Sequence, residues 1–170
     1  MEPILKKILE FGIKRENEER RDGGCAVVFD PETQKYAVYE NLKNGLLGLY
    51  GGGIEKDEAE KDGILRELTE ESGLINFLHV EKVYKVYVHY FNSNKNVNRF
   101  AFAVCFLVIL KNTDCIATKL EEHEKFVLLW KTTEEILENW KQRNQDKDFD
   151  HWVYFLEKAV ARIKELGYML

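Results

Sequence analysis

Glu67, Glu70 and Glu71 stand at positions i, i+3 and i+4 of the stretch Gly51 to Leu74, which reads as a triple-glycine loop followed by a helix. At that spacing three carboxylates share one helix face, and like charges so placed cost roughly 0.2–0.5 kcal/mol per pair. Only Arg66 lies close by in sequence to offset them. A helix with such a cluster either faces bulk water or holds a cation. Hard divalent ions such as Mg²⁺ take carboxylate oxygens and fill their other positions with water and substrate phosphate oxygens. The glycines upstream supply a backbone that approaches such a site closely. For a lone Glu-Glu pair a solvated acidic helix is the plain alternative, so the surrounding residues decide.

The elements that must hold these carboxylates are legible around them. Asp57, with Glu60 three residues on, predicts an N-cap and capping box, and Gly73 predicts the residue that ends the helix. Ile64, Leu65 and Leu68 fall on one stripe, which faces a core. The full pattern is Gly52, five residues, Glu58, seven residues, Arg66-Glu67-Leu68, one residue, Glu70-Glu71, one residue, Gly73-Leu74. It resembles the Nudix box, G-x5-E-x7-R-E-U-x-E-E-x-G-U with U aliphatic, at every defined position. With each fixed residue at a background near 7%, the coincidence at a given start has odds of roughly 10⁻⁸. The order of elements around the box is also similar to that of a single Nudix domain.

Length and composition bound the rest. A chain of 170 residues with 45% hydrophobic and 32% charged content is one ordinary globular domain with a single well-filled core. A net charge of −5 argues against a nucleic-acid-coating surface, so a nucleotide is held through metal and not by a general basic field. Cys25, Cys105 and Cys115 are odd in number and lack a CxxC spacing, which points away from a disulfide framework or a zinc site and toward a reducing, cytoplasmic setting. The longest apolar run, Phe100 to Leu110, is 11 residues, too short to span a bilayer. The N-terminus shows no cleavage-like segment.

Taken in order, Pro3 with Ile4, Leu5, Ile8 and Leu9 predicts a short amphipathic helix over about 3–11 that packs on the domain or makes a homodimer contact. Residues 14–22 form a charged connection. Cys25 to Phe29 and Tyr36 to Tyr39 read as strands joined by a turn at Asp30-Pro31-Glu32-Thr33, and Leu46 to Tyr50 as a short strand into the glycines. Leu47 and Tyr50 stand where many Nudix proteins have Trp and Pro, and Asp57 where they often have Gly; the latter reads as a cap substitution. Val80 to Phe91 alternates and predicts a two-faced strand; Asn92 to Asn98 predicts a hairpin loop. Arg99 to Leu110 is apolar on both faces, which predicts a central strand with helices on each side. A loop over 111–125, a strand over Phe126 to Trp130, a helix capped by Thr132 or Thr133 and a final amphipathic helix through Ile163 complete an α/β/α sandwich with a mixed central sheet, in one domain over 1–170.

The resemblance implies hydrolysis of a nucleoside diphosphate linked to another group, water attacking phosphorus, with Mg²⁺ or Mn²⁺ as cofactor and a nucleotide-type small molecule as partner. Carried over position by position, Glu67 and Glu71 are metal ligands, Glu70 a ligand or close support, and the Gly52 carbonyl completes a site. Glu58 and Arg66 form a supporting pair. The general base is a box glutamate or one from the loop at Glu121, Glu122 and Glu124, with Glu122 and Glu124 preferred because Glu-His-x-x-Phe resembles the loop of dinucleoside-polyphosphate-hydrolysing relatives. A Pro some fifteen residues past the box, a mark of the ADP-ribose class, is missing, as is the SQPWPFPxS-like array of the NADH-cleaving class. Tyr90, 16 residues beyond Leu74, stands about where dinucleoside-polyphosphate hydrolases carry a Tyr, while an aromatic in that strand also suits a core. Arg99 and Lys95 at the hairpin either meet phosphates or are solvated. Two functions stay open: a metal-dependent pyrophosphohydrolase for nucleoside triphosphates or dinucleoside polyphosphates, and a Nudix-like module that binds a nucleotide without turnover.

Overall fold

Period-two alternation along two long strands and helical stripes before and after them divide the apolar residues into two cores, one on each face of a sheet. The computed structural model describes residues 8–93, 95–144 and 146–170. Two short strands, β1 (Glu10–Phe11) and β2 (Glu19–Arg20), precede β3 (Gly23–Asp30) and β4 (Lys35–Asn41). Next come β5 (Leu47–Gly48), β6 (Tyr50–Gly53) and helix α1 (Glu60–Ser72). The long pair β7 (Phe77–Asn92) and β8 (Val97–Leu110) follows, then β9 (Phe126–Lys131) and helices α2 (Thr133–Arg143) and α3 (Asp150–Leu166).

The sheet is mixed. Its main order is β1-β7-β8-β3-β4-β5, with β2 on β8, β6 on β3 and β9 on β4. β8 lies between β7, antiparallel, and β3, parallel, which makes it the central strand expected from its two apolar faces. Cys105, Leu107 and Ile109 of β8 join Cys25, Val27 and Phe29 of β3 beneath α2 and α3. The alternate residues Val104, Phe106 and Val108 join Ala26, Val28 and the Ile64 and Leu68 stripe of α1. Full burial of an aliphatic side chain such as Ile64 or Leu68, both 0% exposed, stabilises by about 1.5–3 kcal/mol. Opposite the α1 face, Trp140 of α2 is buried and its indole N–H donates to the Leu47 carbonyl. Thr132 caps α2 in a complete capping box with Glu135.

Three expectations are corrected. Residues 3–7 of the expected N-terminal helix lie outside the described residues, and Glu10–Phe11, its far end, is a strand parallel to β7. The open edge of β7 explains this: the Tyr87 N–H donates to the Leu9 carbonyl at 2.9 Å. Helix α1 begins at Glu60 with Ala59 as N-cap and no side-chain cap, so Asp57 is not the cap. Asp57 instead takes the left-handed conformation, φ 67°, which short polar side chains tolerate and which suits a place where relatives often have Gly. The hairpin loop is shorter than Asn92 to Asn98, since β7 runs to Asn92 and β8 begins at Val97, while Arg99 lies in the strand as expected, paired with Tyr90. Among the described residues no helix is long and apolar enough to cross a membrane.

Candidate active site

The site is built where α1 crosses β6. Glycine is needed on β6 because a Cβ at Gly51 would stand 2.1 Å from the Gly24 carbonyl oxygen of β3. With no side chains there, the carboxylates of α1 reach the strand backbone. A Cβ at Gly52 would stand 2.8 Å from the Glu67 Cδ, so the Glu67 carboxylate rests on Gly52. The Gly51 N–H donates to Glu71 Oε1 at 3.3 Å. Gly73 ends α1 in the left-handed conformation, φ 83°, its N–H donating to the Thr69 carbonyl.

The loop over 111–125 is fastened to that same helix end. Lys119 N–H donates to the Glu70 carbonyl at 2.7 Å and Ile116 N–H to the Gly73 carbonyl at 2.8 Å. A Cβ at Gly73 would stand 2.3 Å from the Ile116 carbonyl oxygen, so glycine serves both the helix end and the loop against it. The anchored loop brings Glu124 to Glu71. Burial, then the charge and hydrogen bond of Glu124 and the charge of Glu67, push the Glu71 carboxyl up to about 10. Burial also raises Glu67, with Glu70 and Glu124 adding to the effect against Arg66.

Arg66 organises the other side of the cluster. Its Nε and Nη2 donate to the two oxygens of Glu58 at 2.9 and 3.1 Å, a bidentate pair. Its Nη1 donates to Glu67 at 3.0 Å and to Glu70 at 3.4 Å. Hydrogen bonding to Arg66 holds the Glu58 carboxyl down at about 2.

Thus Glu67, Glu71, Glu124, Gly52 and the Glu58–Arg66 pair come together, and Glu70 is held at the margin by Arg66. Glu122 is exposed, apart from the cluster. Tyr90 packs against the opposite core, under α2 and α3, and Arg99 beside it donates to Glu19 at 3.1 Å. Two side chains that sequence reasoning assigned only to strands line Glu71. Tyr39 and Tyr50, rings 5.6 Å apart, have hydroxyls held above the ordinary range by burial first and by the Glu71 charge next. The sequence signal was an aromatic directly before Gly51.

The oxygens of Glu67, Glu71, Glu124 and the Gly52 carbonyl are hard donors of the kind that Mg²⁺ or Mn²⁺ takes. Burial and the neighbouring Glu124 favour the neutral form of Glu71, and a divalent cation would favour its ionised form. Among the described residues no three such side chains are gathered around one point, since Arg66 draws Glu67 and Glu70 to itself. A cavity of about 700 Å³ lies elsewhere, lined by Glu10, Arg15, Glu18, Arg20, His89 and Phe100.

The NUDIX domain model matches residues 19–153. No curated protein matches the chain. The NUDIX domain of Shewanella oneidensis NrtR, solved in complex with ADP ribose, is similar at 18% identity and TM-score 0.58, over 94% of each chain. A MutT protein from Methanosarcina mazei is similar at 18% identity and TM-score 0.57, over 88% of this chain and 99% of that one. The C. elegans Ap4A hydrolase is similar at 14% identity and TM-score 0.61, over 85% and 98%. The chain spans 62% of the longer S. oneidensis NrtR chain solved with a 27mer DNA. By the family model that covers most of its length, and with a fold shared with these structures, the chain belongs to the Nudix family.

Proposed function

We propose that the chain is a Mg²⁺- or Mn²⁺-dependent pyrophosphohydrolase that cleaves a nucleoside diphosphate linked to another group, with a nucleoside triphosphate, oxidised ones included, or a dinucleoside polyphosphate as substrate. The observation that carries this reading is the meeting of α1 with the glycine backbone of β6, Glu67 resting on Gly52 and Glu71 on the Gly51 N–H, with Glu124 beside Glu71. A divalent cation, when bound, neutralises phosphate charge and lowers the pKa of coordinated water. Glu67 and Glu71, with the Gly52 carbonyl, would hold it, and Glu70 would support them.

The chain's own residues do the positioning. Glu58 fixes Arg66 through two hydrogen bonds, and Arg66 in turn orients Glu67. The Gly51 N–H orients Glu71. Glu124 is the general base in this reading, preferred to Glu122 because it touches Glu71 while Glu122 faces solvent. It accepts the proton of the attacking water as the water oxygen bonds to phosphorus. The bridging P–O bond breaks and its electron pair leaves with the departing phosphate.

A second reading is kept open by the ADP ribose complex of the NrtR domain: a module that binds a nucleotide and does not turn it over. The test is a panel of dGTP, 8-oxo-dGTP, diadenosine tetraphosphate, ADP-ribose and a nucleotide sugar, each with Mg²⁺ or Mn²⁺, beside Glu71→Gln. Turnover of one substrate that vanishes in the variant supports the hydrolase and names its class. Metal-dependent nucleotide binding with no turnover of any favours the module. With a net charge of −5, the chain is expected to leave duplex DNA unshifted in a native gel at physiological salt; a retarded band would overturn that expectation.

A further inference from the structure

We propose that Arg21 is a substrate-binding residue that takes a phosphate of a nucleoside polyphosphate on the face of β6 turned away from the carboxylates; the assignment rests on the hydrolase reading above. Arg21 is exposed and stands two residues before the first residue of the core strand β3. Its backbone is fixed, the N–H donating to the Phe100 carbonyl at 3.0 Å. Its guanidinium lies flat on β6: a Cβ at Gly53 would stand 2.4 Å from Nε, 2.5 Å from Nη2 and 2.7 Å from Cζ.

Successive residues of a strand point to opposite faces. Glu67 covers Gly52 on one face, so the guanidinium over Gly53 is on the other. β6 pairs with β3 and, among the described residues, with no second strand. Its outer edge at Gly52 and Gly53 is therefore open and bare of side chains. Consecutive α-carbons are about 3.8 Å apart, a step that one phosphoanhydride chain crosses. A polyphosphate passing over this edge has carboxylates, and whatever cation they hold, on one side and a guanidinium on the other.

What singles Arg21 out is its lack of a partner. Arg15, Arg20, Arg66, Arg99 and Arg162 each donate to a carboxylate, and Arg143 donates to the Asn44 and Asn139 carbonyls. Among the described residues the Arg21 guanidinium has neither a hydrogen bond nor an ion pair, and a planar fork of donors is well matched to phosphate oxygens. On the same face Arg99 keeps a buried Nε with no hydrogen-bond partner, and Tyr90 feels both guanidinium charges. The two positive charges and the aromatic ring together fit an anionic nucleotide. A dinucleoside or nucleoside polyphosphate is longer than the pyrophosphate that the carboxylates handle, and the additional phosphate is the group assigned to Arg21.

The test compares wild type with Arg21→Ala, Arg21→Lys and Glu71→Gln, by steady-state kinetics on the best substrate of the panel and by calorimetric titration with α,β-methylene-ATP, which carries a third phosphate and resists cleavage between the first two. Arg21→Ala is expected to raise KM about 10- to 100-fold with kcat within about threefold, and Arg21→Lys to recover part of the loss. Because Arg21 is exposed, its variants keep the wild-type melting temperature, and a merely structural role would not split KM from kcat. An unchanged KM in Arg21→Ala, on a substrate that wild type hydrolyses and Glu71→Gln does not, overturns the assignment and leaves the hydrolase standing. If wild type hydrolyses nothing, the hydrolase reading falls, and the α,β-methylene-ATP titration decides Arg21 alone: about tenfold weaker binding in Arg21→Ala supports it, and equal Kd overturns it.

Discussion

Glu71 and His89 are buried to nearly the same degree, 5% and 4% exposed, in opposite electrostatic surroundings. His89 is held between two carboxylates: Nδ1 faces Glu18 at 2.7 Å, Nε2 faces Glu10, and the ring lies 5.1 Å from Phe100. With an acceptor at each nitrogen the ring is an imidazolium, a charge compensated within the chain. Burial alone would lower its pKa, but the hydrogen bonds and charges of Glu10 and Glu18 outweigh burial and raise it. Glu71 meets Glu124 and Glu67 with, among the described residues, a single N–H in its favour. A buried charge that serves the fold is paired by the fold, whereas an acidic cluster left uncompensated at the crossing of a helix and a glycine strand is suited to a charge the chain does not carry.

The largest effect expected on that contrast is at Glu71. Glu71→Gln is expected to lower kcat about a thousandfold, or about 4 kcal/mol of transition-state stabilisation, while raising the melting temperature of the metal-free protein. The sign follows from the raised pKa. A carboxyl moved from about 4.5 in the unfolded chain up to about 10 stabilises the fold below 4.5 and loses that contribution as pH rises toward 10. Gln keeps the neutral form throughout. Melting curves in EDTA between pH 5 and 9 check it: a variant less stable than wild type at pH 8 would show that Glu71 is compensated after all. Millimolar Mg²⁺ or Mn²⁺ is further expected to raise the wild-type melting temperature and leave that of Glu71→Gln nearly unmoved.

The same manipulation at His89 should act in the opposite direction. His89→Leu strands Glu18, whose side chain is only 9% exposed, and is expected to cost about 2 kcal/mol in urea unfolding, with turnover nearly unchanged. Glu10, 60% exposed, adds little. Here the raised folded pKa means that the stabilisation is complete below the unfolded value of about 6.5 and fades as pH rises through the folded value. The gap in stability between wild type and variant should therefore narrow from pH 6 to pH 9. A gap that widened over this range would mean that the ring is neutral in the fold.

What was legible in the sequence divides along the same line. The box, its supporting Arg66 and the central strand Arg99 to Leu110 were readable because spacing and alternation are local properties. Glu124 was readable only as one of several loop acids, since its approach to Glu71 depends on Lys119 and Ile116 docking on the end of α1. The pairing of Glu10 and Glu18 with His89 was not readable at all: the partners lie 79 and 71 residues from the ring, and β1 forms only because the edge of β7 accepts it. Arg21 sat in what reads as a charged connection, and its meaning comes from Gly53 across the sheet.

Asp57 gives the smallest and sharpest test of how α1 is aimed at β6. If it capped the helix, Asp57→Gly would cost a few tenths of a kcal/mol and Asp57→Ala about 1 kcal/mol. In the structure Ala59 begins the helix and Asp57 sits at φ 67° without a capping bond. Gly adopts that conformation without steric penalty, whereas Ala does not. Asp57→Gly is therefore expected to be neutral or to stabilise by about 0.5 kcal/mol, and Asp57→Ala to destabilise by about 1 kcal/mol. Kinetics separates the two effects, because the loop that Asp57 turns is closed by Glu58, which accepts from Glu55 N–H at 3.0 Å and from Arg66. Relieving strain at Asp57 leaves that closure in place, so kcat of Asp57→Gly should stay within about twofold of wild type; a larger fall would show that the side chain at 57, and not only its backbone, holds the carboxylates over Gly52.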